Sequence, residues 1–137
     1  MTFKNGGKMK LSEEQKARAQ EIADAVGDDP GKYFSNALRA LAKKSNDQMI
    51  ALRVNAKLKL GEKYAQILAL AKQAKADTKV IKEAYRLWYE KTGKDLIVEE
   101  RDRLKASFDK QSGDLEALWT VLKKDAKEIV DMLKKKK

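Results

Sequence analysis

Ile81 to Leu96 reads IKEAYRLWYEKTGKDL, and Ser112 to Leu122 reads SGDLEALWTVL. In the first stretch Ile81, Ala84, Tyr85 and Trp88 recur at the spacing of a helix with one apolar face. Gly93 then supplies a C-terminal stop and Asp95 a restart. In the second stretch Leu115, Leu118, Trp119 and Leu122 keep the same rhythm, which Ala126, Ile129, Val130 and Leu133 continue for about five turns. Such a stripe must be covered. Helix packed on helix is the expected architecture, because no strand-like alternation bounded by turns occurs elsewhere in the chain.

Working outward, capping residues and glycines divide the chain into about six to seven helices. Ser12 with Gln15 reads as a capping box opening a helix over about 12–26, with Gly27 closing it. Asp28-Asp29-Pro30-Gly31 is a turn that doubles as the start of a second helix, about 31–44, whose inner residues are Tyr33, Phe34, Ala37, Leu38 and Leu41. Ser45-Asn46-Asp47 reads as a cap for a third helix that ends near Gly61. A fourth starts at Glu62, and Asp77 or Thr78 can cap a fifth. The segment 75–78 holds no glycine or proline, so a single rod through both is the alternative. Ile97, Arg101, Leu104 and Phe108 line a sixth helix, and Ser112 or Gly113 caps the seventh. The expected organisation is a flexible basic segment at 1–10, one helical domain at 11–133 and a lysine tail at 134–137. Gly31 to Lys44 and Gly113 to Ala126 echo each other faintly as glycine-led helices ending near paired lysines.

Composition narrows the chemistry. The 137 residues include no cysteine and no histidine, which excludes thiolate metal sites, thiol nucleophiles, imidazole bases and Ser-His pairs. Neither a signal-peptide apolar run nor a stretch long enough to span a membrane is present, so the expected product is intracellular and soluble, or packaged in a virion. Lys and Arg number 31 against 21 Asp and Glu, a net charge of +10 that favours acidic partners. That excess is spread evenly, +5 in residues 1–60 and +5 in 61–137, and lysine greatly outnumbers arginine, the better residue for bidentate phosphate recognition.

The phrases Gly93-Lys94-Asp95-Leu96 and Ser112-Gly113-Asp114-Leu115, with Ile67, Leu68 and Leu70 ahead of Ile81, Ala84, Tyr85 and Tyr89, resemble the later part of an annexin repeat. The resemblance covers about residues 31–124, and Gly31 to Lys44 would be the last helix of a truncated preceding repeat. It implies a compact five-helix arrangement and, in that family, calcium-dependent membrane binding through a G-x-G-T loop. Here the corresponding place is Lys59-Leu60-Gly61-Glu62-Lys63, which lacks the second glycine and the threonine and puts Lys63 where a cation would bind. Asp109 is the only candidate for the distant carboxylate, and the calcium site is not carried over.

Lys72, Lys75, Lys79, Lys82 and Arg86 are spaced 3, 4, 3 and 4, which puts them along one side of a continuous helix where they could follow a phosphate backbone. Their bland reading is a solvated face. Lys134, Lys135, Lys136 and Lys137 form a tail that suits a helix C-terminus or an anionic surface. Tyr89 and Trp119 are candidate interaction residues, while Tyr85 and Trp88 read as core. Glu99 can pair with Arg103, and Asp28-Asp29 reads as a cap. No catalytic residue, metal ligand, cofactor or small-molecule substrate is expected. The preferred function is a non-enzymatic helical interaction or structural module, a subunit of a larger assembly such as a phage particle, whose partner is a protein or another copy of itself. The alternatives are a non-specific nucleic-acid-binding protein and a peripheral binder of anionic membranes.

Overall fold

A computed structural model of the chain describes residues 11–135. The basic segment expected at 1–10, and Lys136 and Lys137, lie outside the described residues. Within them the chain forms four helices, α1 (Glu13–Asp24), α2 (Pro30–Arg53), α3 (Leu60–Lys91) and α4 (Val98–Lys135), with a short 3-10 turn at Gly93–Asp95 between the last two. There is no strand among the described residues.

The first two helix starts have the expected chemistry. The Ser12 hydroxyl accepts from the Gln15 amide at 3.1 Å while the Gln15 side chain accepts from the Ser12 amide at 2.8 Å. Asp29 accepts from the Lys32 amide at 3.0 Å, with Pro30 at the first position of α2. Gly93 also marks a stop, since the Thr92 amide closes α3 on the Trp88 carbonyl at 2.8 Å.

Three of the remaining expected boundaries are helix interior, while a break near the expected start of a fourth helix is kept, so six to seven helices become four. Ser45-Asn46-Asp47 lies inside α2, which continues to Arg53, and Gly61 sits in the first turn of α3 instead of ending a helix. Residues 75–78 are part of one 32-residue helix, and Ser112-Gly113 lies inside α4, a 38-residue helix. Three small hydroxyl residues explain this. Ser45, Thr78 and Ser112 are all buried, so they occupy helix contacts where no larger side chain is present. The Thr78 hydroxyl donates to the Ala74 carbonyl at 2.9 Å and the Ser112 hydroxyl to the Asp109 carbonyl at 3.4 Å. A hydroxyl bonded to the preceding turn has no need of a free helix end.

α3 is the central element, in contact with α1, α2 and α4. It runs antiparallel to α4, since Tyr85 stacks on Phe108 at 4.3 Å while Gly61 lies beside Leu133. α2 runs parallel to α4, with Gly31 beside Leu104, Ser35 bonded to Gln111 at 3.0 Å, and Ala42 and Met49 near Leu118 and Leu122. The short α1 lies against α3 near α2, where the Tyr33 hydroxyl donates to the Ile22 carbonyl at 2.9 Å. Its buried residues, Ala19 and Ala23, are small and permit a close approach.

The upper core is aromatic. Phe34 meets Tyr33, Tyr85, Trp88 and Phe108 edge-on at 5.3 to 5.9 Å. Edge-to-face pairs of this kind contribute about 0.5–1.5 kcal/mol each beyond the area they bury. Below it the core thins to Ile67, Ala71, Leu115, Trp119 and Ala126. Asymmetry follows from that thinning. The lower half of α4 has fewer large partners than its apolar stripe can use.

Candidate interaction surface

α1 lies on the α2/α3 side of the bundle, and the opposite side, where α2 runs beside α4, stays open. A groove follows that seam. Its upper end is polar, closed over by the Ser35–Gln111 hydrogen bond and lined by Asp28, Arg39, Glu100 and Arg103. Lower down it turns apolar, a cleft of about 440 Å³ whose walls include Ala42, Met49, Leu118, Trp119 and Leu122. Charged residues Lys43 and Arg53 edge the α2 wall.

The apolar surface extends past the groove along α4. Leu118, Leu122, Asp125, Ile129 and Met132 follow one another at spacings of 4, 3, 4 and 3, which aligns them on one face, with Val121 one turn from Leu118. Leu118 is 50% exposed, Val121 56% and Met132 58%, while Ile50 and Val54 on α2 are 50% and 73% exposed. On α4, Leu118, Val121 and Met132 share one face by their helical spacing, which sets them apart from singly scattered surface residues. The seventh-helix stripe read from the sequence is therefore only partly covered, and Val121 and Met132 beside it add to the apolar surface. Leu115, Trp119 and Ala126 are buried, and Leu118, Val121 and Met132 are not.

Trp119 was expected at a surface and is 1% exposed, forming the floor beneath the groove instead of its rim. Its indole Nε1 has no hydrogen-bond partner among the described residues. Tyr89 is half-buried and stacks on Tyr85 with ring centroids 6.5 Å apart. Sequence reasoning missed that Leu118, Val121 and Met132 stay exposed. The signal was available in the width of the stripe, which exceeds what one helix contact covers.

The basic row lies on α3 as expected, and its charges are partly spent. Lys79 and Lys82 both approach the Glu116 carboxylate, at 3.9 and 3.3 Å. Arg86 grips Glu83 through two bonds of 2.9 and 2.7 Å, a hydrogen bond that raises the Arg86 pKa above its ordinary value against the opposing effect of burial. Lys72 and Lys75 make no ion pair among the described residues, and Lys134 and Lys135 close the last turn of α4. The pair expected between Glu99 and Arg103 is absent from these residues, where Arg101 instead donates to the Lys94 carbonyl at 3.4 Å.

No cluster of acidic side chains able to hold a metal ion occurs among the described residues, and none of their helices is long and apolar enough to cross a membrane. The carboxylates of the upper groove are interleaved with Lys32, Arg39 and Arg103, and Asp29 is occupied as the α2 cap. Comparison with protein families, with curated proteins and with solved structures finds no match to this chain.

Proposed function

We propose that this chain is a non-enzymatic helical interaction module, a subunit of a larger assembly such as a phage particle, which associates through the α2/α4 side. The observation that supports this reading is the row Leu118, Val121 and Met132, left at least half exposed after all four helices have packed. Covering apolar surface contributes roughly 25 cal/mol per Å², and a helix supplied by another molecule is the geometry that fits a groove between parallel helices. Light scattering on a size-exclusion column, at low and high salt and with and without DNA, tests it. The expected result is a particle heavier than the 15.5 kDa chain that persists at high salt. A single-chain mass under every condition overturns it.

Lys72 and Lys75, without an ion pair among the described residues and on the same side of α3 as Lys79 and Lys82, favour a second reading, weak non-specific binding of nucleic acid. Replacing Lys72, Lys75 and Lys79 by glutamate should then abolish a gel shift whose midpoint falls steeply with salt. A gel shift unchanged by those substitutions, or none from the native chain, rejects that reading. An annexin-like role at anionic membranes would show as flotation with liposomes, with or without calcium.

A further inference from the structure

The face where α3 runs beside α4 repeats itself with a change of sign. Lys79 and Lys82 of α3 converge on the Glu116 carboxylate of α4, at 3.9 and 3.3 Å. A step of seven residues is two turns of helix and returns to nearly the same face. Two turns before Lys79 and Lys82 on α3 stand Lys72 and Lys75, and two turns after Glu116 on α4 stands Lys123. Because the two helices are antiparallel, both steps go the same way, about 10 Å toward the end where Gly61 lies beside Leu133. The place that Glu116 fills above is therefore held by a lysine below, and three cationic side chains meet with no carboxylate between them. Lys75 and Lys123 are half-buried, which lays their stems in the seam between the helices, and Lys127 follows on the next turn of α4.

None of these four lysines forms an ion pair among the described residues. The acids of the same turns face elsewhere or stand at the edge. Asp77 accepts from Gln73 at 2.9 Å and lies on the side of α3 that meets Arg18 and Ile22 of α1. Asp125 and Glu128 are seven residues past Leu118 and Val121 and share their side of α4. Asp131, one turn past Lys127, ends the cluster below as Glu116 ends it above.

Resting on the reading of α3 as a weak binder of nucleic acid, we propose that the site is shared by two helices: the α3/α4 seam at Lys72, Lys75, Lys123 and Lys127 seats the phosphate backbone of a nucleic-acid strand. Like charges brought together by helix packing weaken the fold, and a phosphate laid between them removes that repulsion. A seam with two of its cations half-buried admits a narrow chain, whereas a flat bilayer would reach only the outer lysines. Ammonium groups meet phosphate oxygens as point charges, so the contact reads no base.

The substitution Lys123→Glu tests this, since it recreates below the arrangement that Glu116 makes above. It should raise the midpoint of chemical denaturation while weakening binding of a fluorescent DNA oligonucleotide about tenfold at low salt, with a shallower salt dependence. Lys72→Glu/Lys75→Glu should weaken binding at least as much. Lys43→Glu/Lys44→Glu, the same charge change on exposed lysines of α2, should alter it by no more than about threefold. An equal loss in the α2 variant would assign the attraction to net charge and overturn the site. Loss from the Lys72 and Lys75 pair but not from Lys123→Glu, or a lowered denaturation midpoint in Lys123→Glu, would overturn the shared seam and leave the single-helix reading standing. A native chain that binds no DNA at low salt, whether or not it binds vesicles of phosphatidylserine and phosphatidylcholine, removes both.

Discussion

A Cβ added at Gly93 would lie 2.7 Å from the Trp88 ring, so an alanine there must push a buried indole off the turn that closes α3. Gly93→Ala should cost about 1–3 kcal/mol in chemical denaturation, the usual penalty for overpacking. Gly113 presents the contrary case, with nothing within 4 Å of the added Cβ and a position in the interior of α4. Gly113→Ala should stabilise the protein by about 0.5–1 kcal/mol, because it removes backbone freedom from the unfolded chain. A loss of stability there would mean that Gly113 ends a helix after all. Tyr85 adds a pH dependence. Burial first, then the Asp109 charge and Tyr89, push its phenol from 10.0 up to about 12. A folded pKa above the unfolded one gives stability that is fully present below pH 10 and lost as pH rises through about 12, and partial burial shifts Tyr33 in the same direction. Its hydroxyl has no partner among the described residues, so Tyr85→Phe should leave neutral stability unchanged or higher and flatten the alkaline loss of helicity.

At the scale of elements, amide exchange should be as slow through Ser45, Thr78 and Ser112 as in the flanking turns. Fast exchange at any of the three would restore a helix boundary there. The all-helical class was legible from apolar periodicity, and so were the Ser12–Gln15 box, the Asp29-Pro30 start and the Gly93 stop. What misled was the reading of capping residues as caps. Serine, threonine and aspartate favour a helix start only where the preceding helix has released its hold on the backbone, and that depends on packing distant in sequence. Ser45 and Ser112 are buried contacts along helices that continue, and the glycine beside Ser112 is tolerated because the length of α4 outweighs one poor position. For the surface, periodicity put Leu118 in a stripe to be covered and passed over Val121 and Met132, since spacing alone cannot say how many neighbours a helix will have.

The whole molecule carries a charge of +10, and local pairing decides where that excess is felt. On the α3 side Glu116, half shielded between Lys79 and Lys82, neutralises what would otherwise be an uninterrupted basic strip. Glu116→Gln should therefore strengthen any DNA binding, by a few-fold at low salt and less at high salt, as a gel-shift titration would show. No change would place the relevant lysines elsewhere. On the α2/α4 side charges of both signs are interleaved on each helix, Asp47 beside Lys43 on α2 and Lys124 beside Asp125 on α4, so neither helix presents a face of one sign.

The three-residue turn between α3 and α4 also bears on time. Contacts between those helices close outward from Gly93 as a hairpin, at little cost in loop entropy, whereas the Ser35–Gln111 bond joins residues 76 apart. The hairpin is expected to form first and α2 to dock on it afterwards. Stopped-flow kinetics should then show Gly93→Ala slowing folding, while Leu38→Ala mainly accelerates unfolding. Since the groove needs α2 in place, it is the last surface to be completed when the full-length unfolded chain refolds, and the apolar row of α4 stands without its α2 wall until then.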